Sequence, residues 1–248
     1  MGLDGAVVDE LEQLAAEELL AWAMEAYGER FAVTTSFQAE GMVLVDMAAR
    51  IGGRVRVVTL DTGRLPEETY EMMEAVRERY GIGVEVVSPE AREVERMVTR
   101  HGVNLFYRDA NLRKLCCHIR KVRPLERKLG ELEAWAVGLR RGQSAERAGT
   151  AKVAQVGEKV KLSPLADWSK EQVEDYIARH DVPRHPLYER GYTSIGCAPC
   201  TRAVKPGEGE RAGRWWWEDS LKECGLHVTP EGKLRQALDV LMEEILKP

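Results

Sequence analysis

Five cysteines carry the most distinctive chemistry in this chain, and their spacing divides them into a quartet and a singleton. The quartet falls in two tight groups, Cys116-Cys117 and Cys197-Ala198-Pro199-Cys200. A C-x-x-C loop sets two thiolates on one metal centre. The tandem pair lies in a segment with a helical pattern, where neighbouring side chains diverge by about 100°. Thiolates so splayed reach two irons of a cubane more readily than one small ion. The geometry therefore favours a 4Fe-4S cluster on Cys116, Cys117, Cys197 and Cys200. A structural zinc site and a redox-active Cys197/Cys200 dithiol stay open at this point, although the dithiol leaves the tandem pair unexplained. Cys224 stands alone in Glu223-Cys224-Gly225-Leu226-His227. The adjacent glycine leaves its thiol accessible, and an imidazolium such as His227 lowers a thiol pKa and sharpens a nucleophile. A buried apolar cysteine, or a metal ligand paired with His227, are the plainer readings.

Cations accompany the sulfurs. Arg120 and Lys121 follow Cys116 and Cys117 at i,i+4, so each shares a helix face with a cysteine. There they damp thiolate charge or reach an anion; a solvated basic face is the alternative. Arg211 and Arg214, spaced by three, can form a fork for phosphate or sulfate. Trp215-Trp216-Trp217 follows directly. Three consecutive tryptophans cannot all be buried on one face, so at least one covers a ligand or partner surface, or else the run packs the tail on the body.

The elements that must position these groups alternate. Helical apolar spacing runs over 7–27, 40–51, 66–80, 89–101 and 111–123, the last ending at Pro124. Short apolar runs at 31–35, 54–60, 84–87 and 134–139 read as strands. The alternation predicts an α/β fold, a parallel sheet flanked by helices. A hairpin of 153–156 and 159–162, a helix over 170–180 capped by Ser169, an irregular stretch over 181–213 and a final amphipathic helix over 234–246 complete the reading. One domain over 1–248 is the simplest organisation, with a nucleotide-binding core at 31–165 and a C-terminal segment at 166–248. Ligands of such sheets sit beyond the carboxyl ends of the strands. Three of those ends are unusually polar: Thr34-Thr35-Ser36-Phe37-Gln38, Leu60-Asp61-Thr62-Gly63-Arg64 and Gly138-Leu139-Arg140-Arg141-Gly142-Gln143-Ser144. Alone they indicate a nucleotide or other small anion.

Composition narrows the class. Hydrophobic residues at 44% supply a core, and no apolar run reaches the roughly 18 residues of a membrane span. The acidic first helix lacks the features of a signal peptide, so a cytoplasmic protein is expected, and reduced cysteines with it. A net charge of −5 argues against nucleic acid. Between Arg108 and Arg147, 11 Lys/Arg face 5 Asp/Glu, a local patch suited to a small anion.

Taken together these residues resemble one family, the assimilatory adenylyl-sulfate reductases, the cluster-containing branch of the sulfonucleotide reductases. The likeness extends over about 31–227. It rests on the first two polar strand ends, the tandem-cysteine stretch Cys116-Cys117-His118-Ile119-Arg120-Lys121-Val122-Arg123-Pro124-Leu125, and the third strand end. It continues in Pro164-Leu165-Ala166-Asp167-Trp168, Ser194-Ile195-Gly196-Cys197-Ala198-Pro199-Cys200, Arg211-Ala212-Gly213-Arg214-Trp215-Trp216-Trp217 and the Cys224 segment. The resemblance implies a fold like the adenine-nucleotide α-hydrolases, which include the PP-loop ATPases, and a 4Fe-4S cluster on the quartet. It implies that Cys224 attacks the sulfur of adenosine 5′-phosphosulfate, releasing AMP, and that thioredoxin then frees sulfite from the S-sulfonated cysteine. That is a step of sulfate assimilation towards cysteine. Lys121, Arg211, Arg214 and His227 would face the phosphosulfate, with Arg120 beside them. Thr35, Ser36, Leu60, Thr62, Gly138 and Arg147 would hold the adenosine and its phosphate.

Two features depart from the pattern. Residues 228–248 extend past the Cys224 segment, too short for a fused thioredoxin-like domain, so an external dithiol is expected; they could dock on the body or on a second copy of the chain. Arg113, three before Cys116, has no part in the resemblance. The rivals are a reductase for the 3′-phosphorylated substrate, whose members generally lack the quartet, and a PP-loop ATPase of tRNA thiolation, whose Ser-Gly-Gly-x-Asp-Ser loop is replaced here by Thr-Ser-Phe-Gln-Ala-Glu. A zinc-stabilised binding module is the non-enzyme alternative.

Overall fold

A computed structural model describes residues 3–218, 241–243 and 245. The apolar runs become β1 (Phe31–Thr34), β2 (Val57–Leu60), β3 (Val84–Val87) and β4 (Ala134–Val137), joined by β5 (Val153–Val156) and β6 (Lys159–Leu162). They form one sheet in the order β3-β2-β1-β4-β6-β5, parallel except for the β5–β6 hairpin. β1 and β4 are nearly continuous in burial because helices cover both faces. On one face α2 (Ala16–Tyr27), α3 (Ala39–Ile51) and α8 (Lys170–His180) pack with Leu19, Leu20, Val33, Leu44, Val57 and Leu162. The opposite face presents Ala32, Val58, Trp135 and Val137.

Two sequence expectations change. The helix over 7–27 is two helices, α1 (Gly5–Gln13) and α2, because Glu18 turns back to accept the Ala15 N–H at 2.9 Å and starts a new helix there. The helix expected over 111–123 is α6 (Ala110–Cys117), capped by Asp109, then a wide π-type turn at His118–Val122, then α7 (Arg123–Leu129). Pro124 does not stop the chain. The wide turn leaves it in the first turn of α7, where its missing N–H costs nothing. The same turn buries Ile119, Arg120 and Lys121.

The rest follows the sequence closely: α4 (Glu67–Tyr80) after Pro66, α5 (Ala91–His101), the hairpin, and α8 under its Ser169 cap. A buried Asp46 on α3 accepts from Tyr176 at 2.8 Å and Tyr80 at 3.1 Å, pinning α8 and α4 to α3. The stretch 181–213 is irregular apart from short 3₁₀ turns at Pro186–Arg190 and Ala198–Cys200. Of the final helix expected over 234–246, residues 241–243 and 245 are helical and the remainder lies outside the described residues. Among the described residues no helix is long and apolar enough to cross a membrane.

Candidate active site

Because β1, β2, β4 and β6 run parallel, their carboxyl ends open on one edge, and a cavity of about 660 Å³ lies there. Its wall is built loop by loop. After β1, Thr35 Oγ1 accepts the Phe37 N–H at 2.8 Å and Thr59 Oγ1 donates to the Thr35 carbonyl at 2.9 Å. α3 comes so close that a Cβ on Gly41 would lie 2.2 Å from Thr35 Oγ1, and one on Gly138 would lie 2.7 Å from the Gly41 nitrogen. Both positions therefore require glycine. The C-terminal segment closes the other side. Gln38 Oε1 accepts the Ile195 N–H at 2.7 Å, and Tyr188 OH accepts the Ala39 N–H at 3.0 Å at the start of α3. The buried pair Arg140–Glu40, at 2.7 Å, ties the loop after β4 to the same helix end.

Thr35, Ser36, Leu60, Thr62, Gly138, Arg147, Lys121, Arg211 and Arg214 all line this cavity. Arg120 does not. It is buried against the Thr62 carbonyl at 2.6 Å and lines the smaller chamber next door. Arg147 donates to Gln143 Oε1 at 2.6 Å. Arg214 is buried, its Nη1 reaching Ser194 Oγ and the Ile195 carbonyl at 3.4 Å each, while its Nε has no acceptor among the described residues. A buried guanidinium with an unmet donor in a cavity wall is arranged for an anion.

The smaller chamber, about 20 Å³, is lined by Cys116, Cys117, Cys197 and Cys200 together with Arg64, Arg113, Arg120 and Lys121. The loop carrying Cys197 and Cys200 is fixed by the Ala198 N–H to the Arg64 carbonyl at 2.8 Å and the Trp215 N–H to the Cys200 carbonyl at 3.2 Å. None of the four is joined in a disulfide. Thr62 Oγ1 lies 3.2 Å from Cys197 Sγ. Burial alone would raise the Cys197 thiol, but Lys121, the Thr62 hydroxyl and Arg214 outweigh it and hold the thiol below its usual range. Burial and then the negative charge of Cys197 push Cys200 up to about 12. Burial raises Cys116 against the pull of Arg120. Four sulfur donors on one chamber with a cationic wall suit an anionic, thiolate-ligated centre. Among the described residues no three His, Cys, Asp or Glu side chains stand as a ready set for a metal ion. Cys224 and His227 lie outside the described residues.

Sequence reasoning missed Lys161. It sits on β6 in register with Trp135 and faces the large cavity, and its ammonium makes no hydrogen bond or ion pair with a described residue. Burial, then Arg147, lowers its pKa. The alternation Lys159-Val160-Lys161-Leu162 gave no signal beyond a half-exposed strand. Of the tryptophan run, Trp215 is buried, Trp217 donates to the Phe106 carbonyl at 3.2 Å, and Trp216 is exposed.

A parallel sheet with a nucleotide-sized, cation-lined cavity at its carboxyl edge places the chain in the adenine-nucleotide α-hydrolase-like class. Solved structures agree. A phosphoadenylyl-sulfate reductase from Candida auris superposes with a TM-score of 0.69 at 26% identity, over 82% of this chain and 99% of that one. Yeast FAD synthetase shares the fold at a TM-score of 0.53 and 14% identity, over 82% and 70%. Residues 30–203 match the model of the phosphoadenosine phosphosulfate reductase domain. Curated relatives called adenosine 5′-phosphosulfate reductase include one from Burkholderia cepacia, 47% identical over 88% of this chain and 90% of its own length. Another, from Agrobacterium fabrum, is 45% identical over 81% and 78%. This chain belongs to the phosphoadenosine phosphosulfate reductase domain family.

Proposed function

We infer that this chain reduces adenosine 5′-phosphosulfate to sulfite and AMP in sulfate assimilation. The observation that carries this reading is that Lys121 lines both chambers at once. A cation-lined cavity abuts a four-cysteine chamber, in a chain nearly half identical to enzymes of that name.

The loops after β1, β2 and β4 hold the adenosine, with Thr35, Ser36, Leu60, Thr62, Gly138 and Arg147 as its contacts. Lys121, Arg211 and Arg214 take the phosphosulfate and offset the repulsion between its oxygens and an approaching thiolate. Cys224 is the nucleophile, with His227 favouring its thiolate. Its sulfur bonds to the sulfate sulfur, the S–O bond to phosphate breaks, and AMP leaves with the bonding pair. A dithiol such as thioredoxin then attacks Cys224 Sγ. Sulfite departs with its electron pair, and the second thiol of the reductant resolves the mixed disulfide. The dithiol supplies both electrons. Cys116, Cys117, Cys197 and Cys200 would hold a 4Fe-4S cluster, whose contribution is charge and rigidity beside Lys121. Four cysteines lining one chamber suit a thiolate-ligated cluster.

The test is anaerobic turnover of the iron-loaded protein with adenosine 5′-phosphosulfate and its 3′-phosphorylated form in parallel. Sulfite release with much higher kcat/KM for the former is expected. Cys224→Ser should lose sulfite release and keep its iron and visible absorbance. Normal turnover by that variant, or preference for the 3′-phosphorylated substrate, would refute the reading.

A further inference from the structure

Arg113 is a charge withdrawn from the protein surface. It sits on α6, three residues before Cys116, and is fully buried. Its Nε donates to both carboxylate oxygens of Glu218, at 2.8 and 2.9 Å. Its guanidinium carbon lies 4.5 Å from the centre of the Trp215 ring, and the same indole carries the Arg214 guanidinium at 4.5 Å. One indole thus joins a cation on the cysteine helix to a cation in the wall of the nucleotide cavity.

Trp215 holds this place against two local costs. Its φ of +41° lies in the left-handed region, which a bulky L residue avoids. Its indole N–H is buried with no acceptor among the described residues. Such costs persist where surrounding groups over-determine the conformation, and they concentrate at functional sites. The charges are also asymmetric. Glu218 neutralises Arg113, whereas no carboxylate among the described residues pairs with Arg214. Gly196 completes the seat, since a Cβ there would lie 2.4 Å from Arg214 Nη2. The Arg214 guanidinium is therefore fixed between the indole and the backbone just before Cys197.

We propose that Arg113 is a positioning residue for the anion-binding Arg214, acting through Trp215. The proposal rests on the reading of Arg214 as a phosphosulfate contact. Arg113 orients the indole, the indole orients Arg214, and the anion of the substrate meets a guanidinium already in place. A helix that presents cysteines to one chamber thereby sets the cation of the other. A purely structural Arg113 would affect stability and every ligand alike.

The test uses the iron-loaded full chain with Cys224→Ser, so that adenosine 5′-phosphosulfate binds without reacting. Calorimetry compares it with uncharged adenosine. Arg113→Met should weaken phosphosulfate binding roughly tenfold, the size of a desolvated cation–π contact, and leave adenosine binding within about twofold. Arg214→Ala should do the same, and the double variant should be no weaker than Arg214→Ala alone. Should Arg113→Met not fold, Arg113→Lys enters the same cycle, with a smaller loss and the same non-additivity. Losses that multiply, or that fall equally on adenosine, would overturn the proposal while leaving the site assignment intact. A Cys224→Ser protein that binds no phosphosulfate at all would remove the site assignment, and this proposal with it.

Discussion

Gly196→Ala is the smallest change that reaches Arg214, the proposed phosphosulfate contact, without touching a charge. A methyl group built at position 196 would stand 2.4 Å from Arg214 Nη2, 2.6 Å from Cζ and 3.1 Å from Nε. Ordinary contact begins near 3.4 Å, so the guanidinium must withdraw by about 1 Å. It cannot withdraw and keep its present partners, because its bonds to Ser194 Oγ and the Ile195 carbonyl are already 3.4 Å long. On the far side Trp215 blocks the route, with the ring centre 4.5 Å from Cζ. A catalytic or binding group displaced by about 1 Å costs up to roughly a hundredfold. KM for adenosine 5′-phosphosulfate should therefore rise between about ten- and a hundredfold, with a smaller change in kcat. Steady-state sulfite release measures both constants, and iron content reports separately on neighbouring Cys197. Wild-type KM in a fully iron-loaded variant would refute the claim that Arg214 needs this seat.

Two further outcomes are expected. His185 is buried, its Nδ1 accepting the Leu187 N–H at 3.3 Å and its Nε2 lying 3.1 Å from Thr69 Oγ1, so the ring is held neutral. Burial lowers its pKa to about 4 against a weak opposing pull from Glu68. A depressed histidine stabilises the fold above its unfolded pKa of about 6.5 and loses that contribution as pH falls towards 4, about 3 kcal/mol in all. Urea unfolding should show the loss in the native protein and not in His185→Gln; parallel pH profiles would contradict it. Lys161→Met should weaken AMP binding about tenfold, as expected for a lost charge-assisted contact. Because the Lys161 pKa is lowered, AMP affinity in the native protein should fall as pH rises through its range and stay flat in the variant. Calorimetry over pH 7 to 10 decides this, and equal affinities for the two proteins would dismiss Lys161 as a ligand contact.

The alternation of strands and helices was legible because β1, β2 and β4 are covered on both faces and read as unbroken apolar runs, and because Gly52, Gly81 and Gly102 end the intervening helices. What escaped was whatever a side chain decides against periodicity. Apolar spacing continues straight through Leu14, yet the backbone breaks there because Glu18 caps Ala15. Pro124 is a fair stop signal for an α-helix, and it is overridden because a single wide turn changes which N–H groups need partners.

The site divides along the same physical line. Cysteine chemistry is carried by residue type and spacing, so the quartet could be read directly, and the structure brings all four thiols to one chamber. Glycines 41 and 138 carry no such mark, although a single Cβ at either would collide with the loop after β1 or the start of α3. Thr62 was read as a nucleotide contact. It does border the cavity, but its hydroxyl is also engaged with Cys197 Sγ and the Arg64 N–H, partners 135 and 2 residues away. Lys121 and Arg120 looked equivalent on a helix face. The wide turn sends Lys121 to both chambers and Arg120 to the cysteine chamber alone. Which cation borders the large cavity is thus set by the wide turn, which buries Ile119 and carries Arg120 and Lys121 to different walls. A sequence period states where a side chain would point on an ideal helix, and this stretch departs from one at His118–Val122.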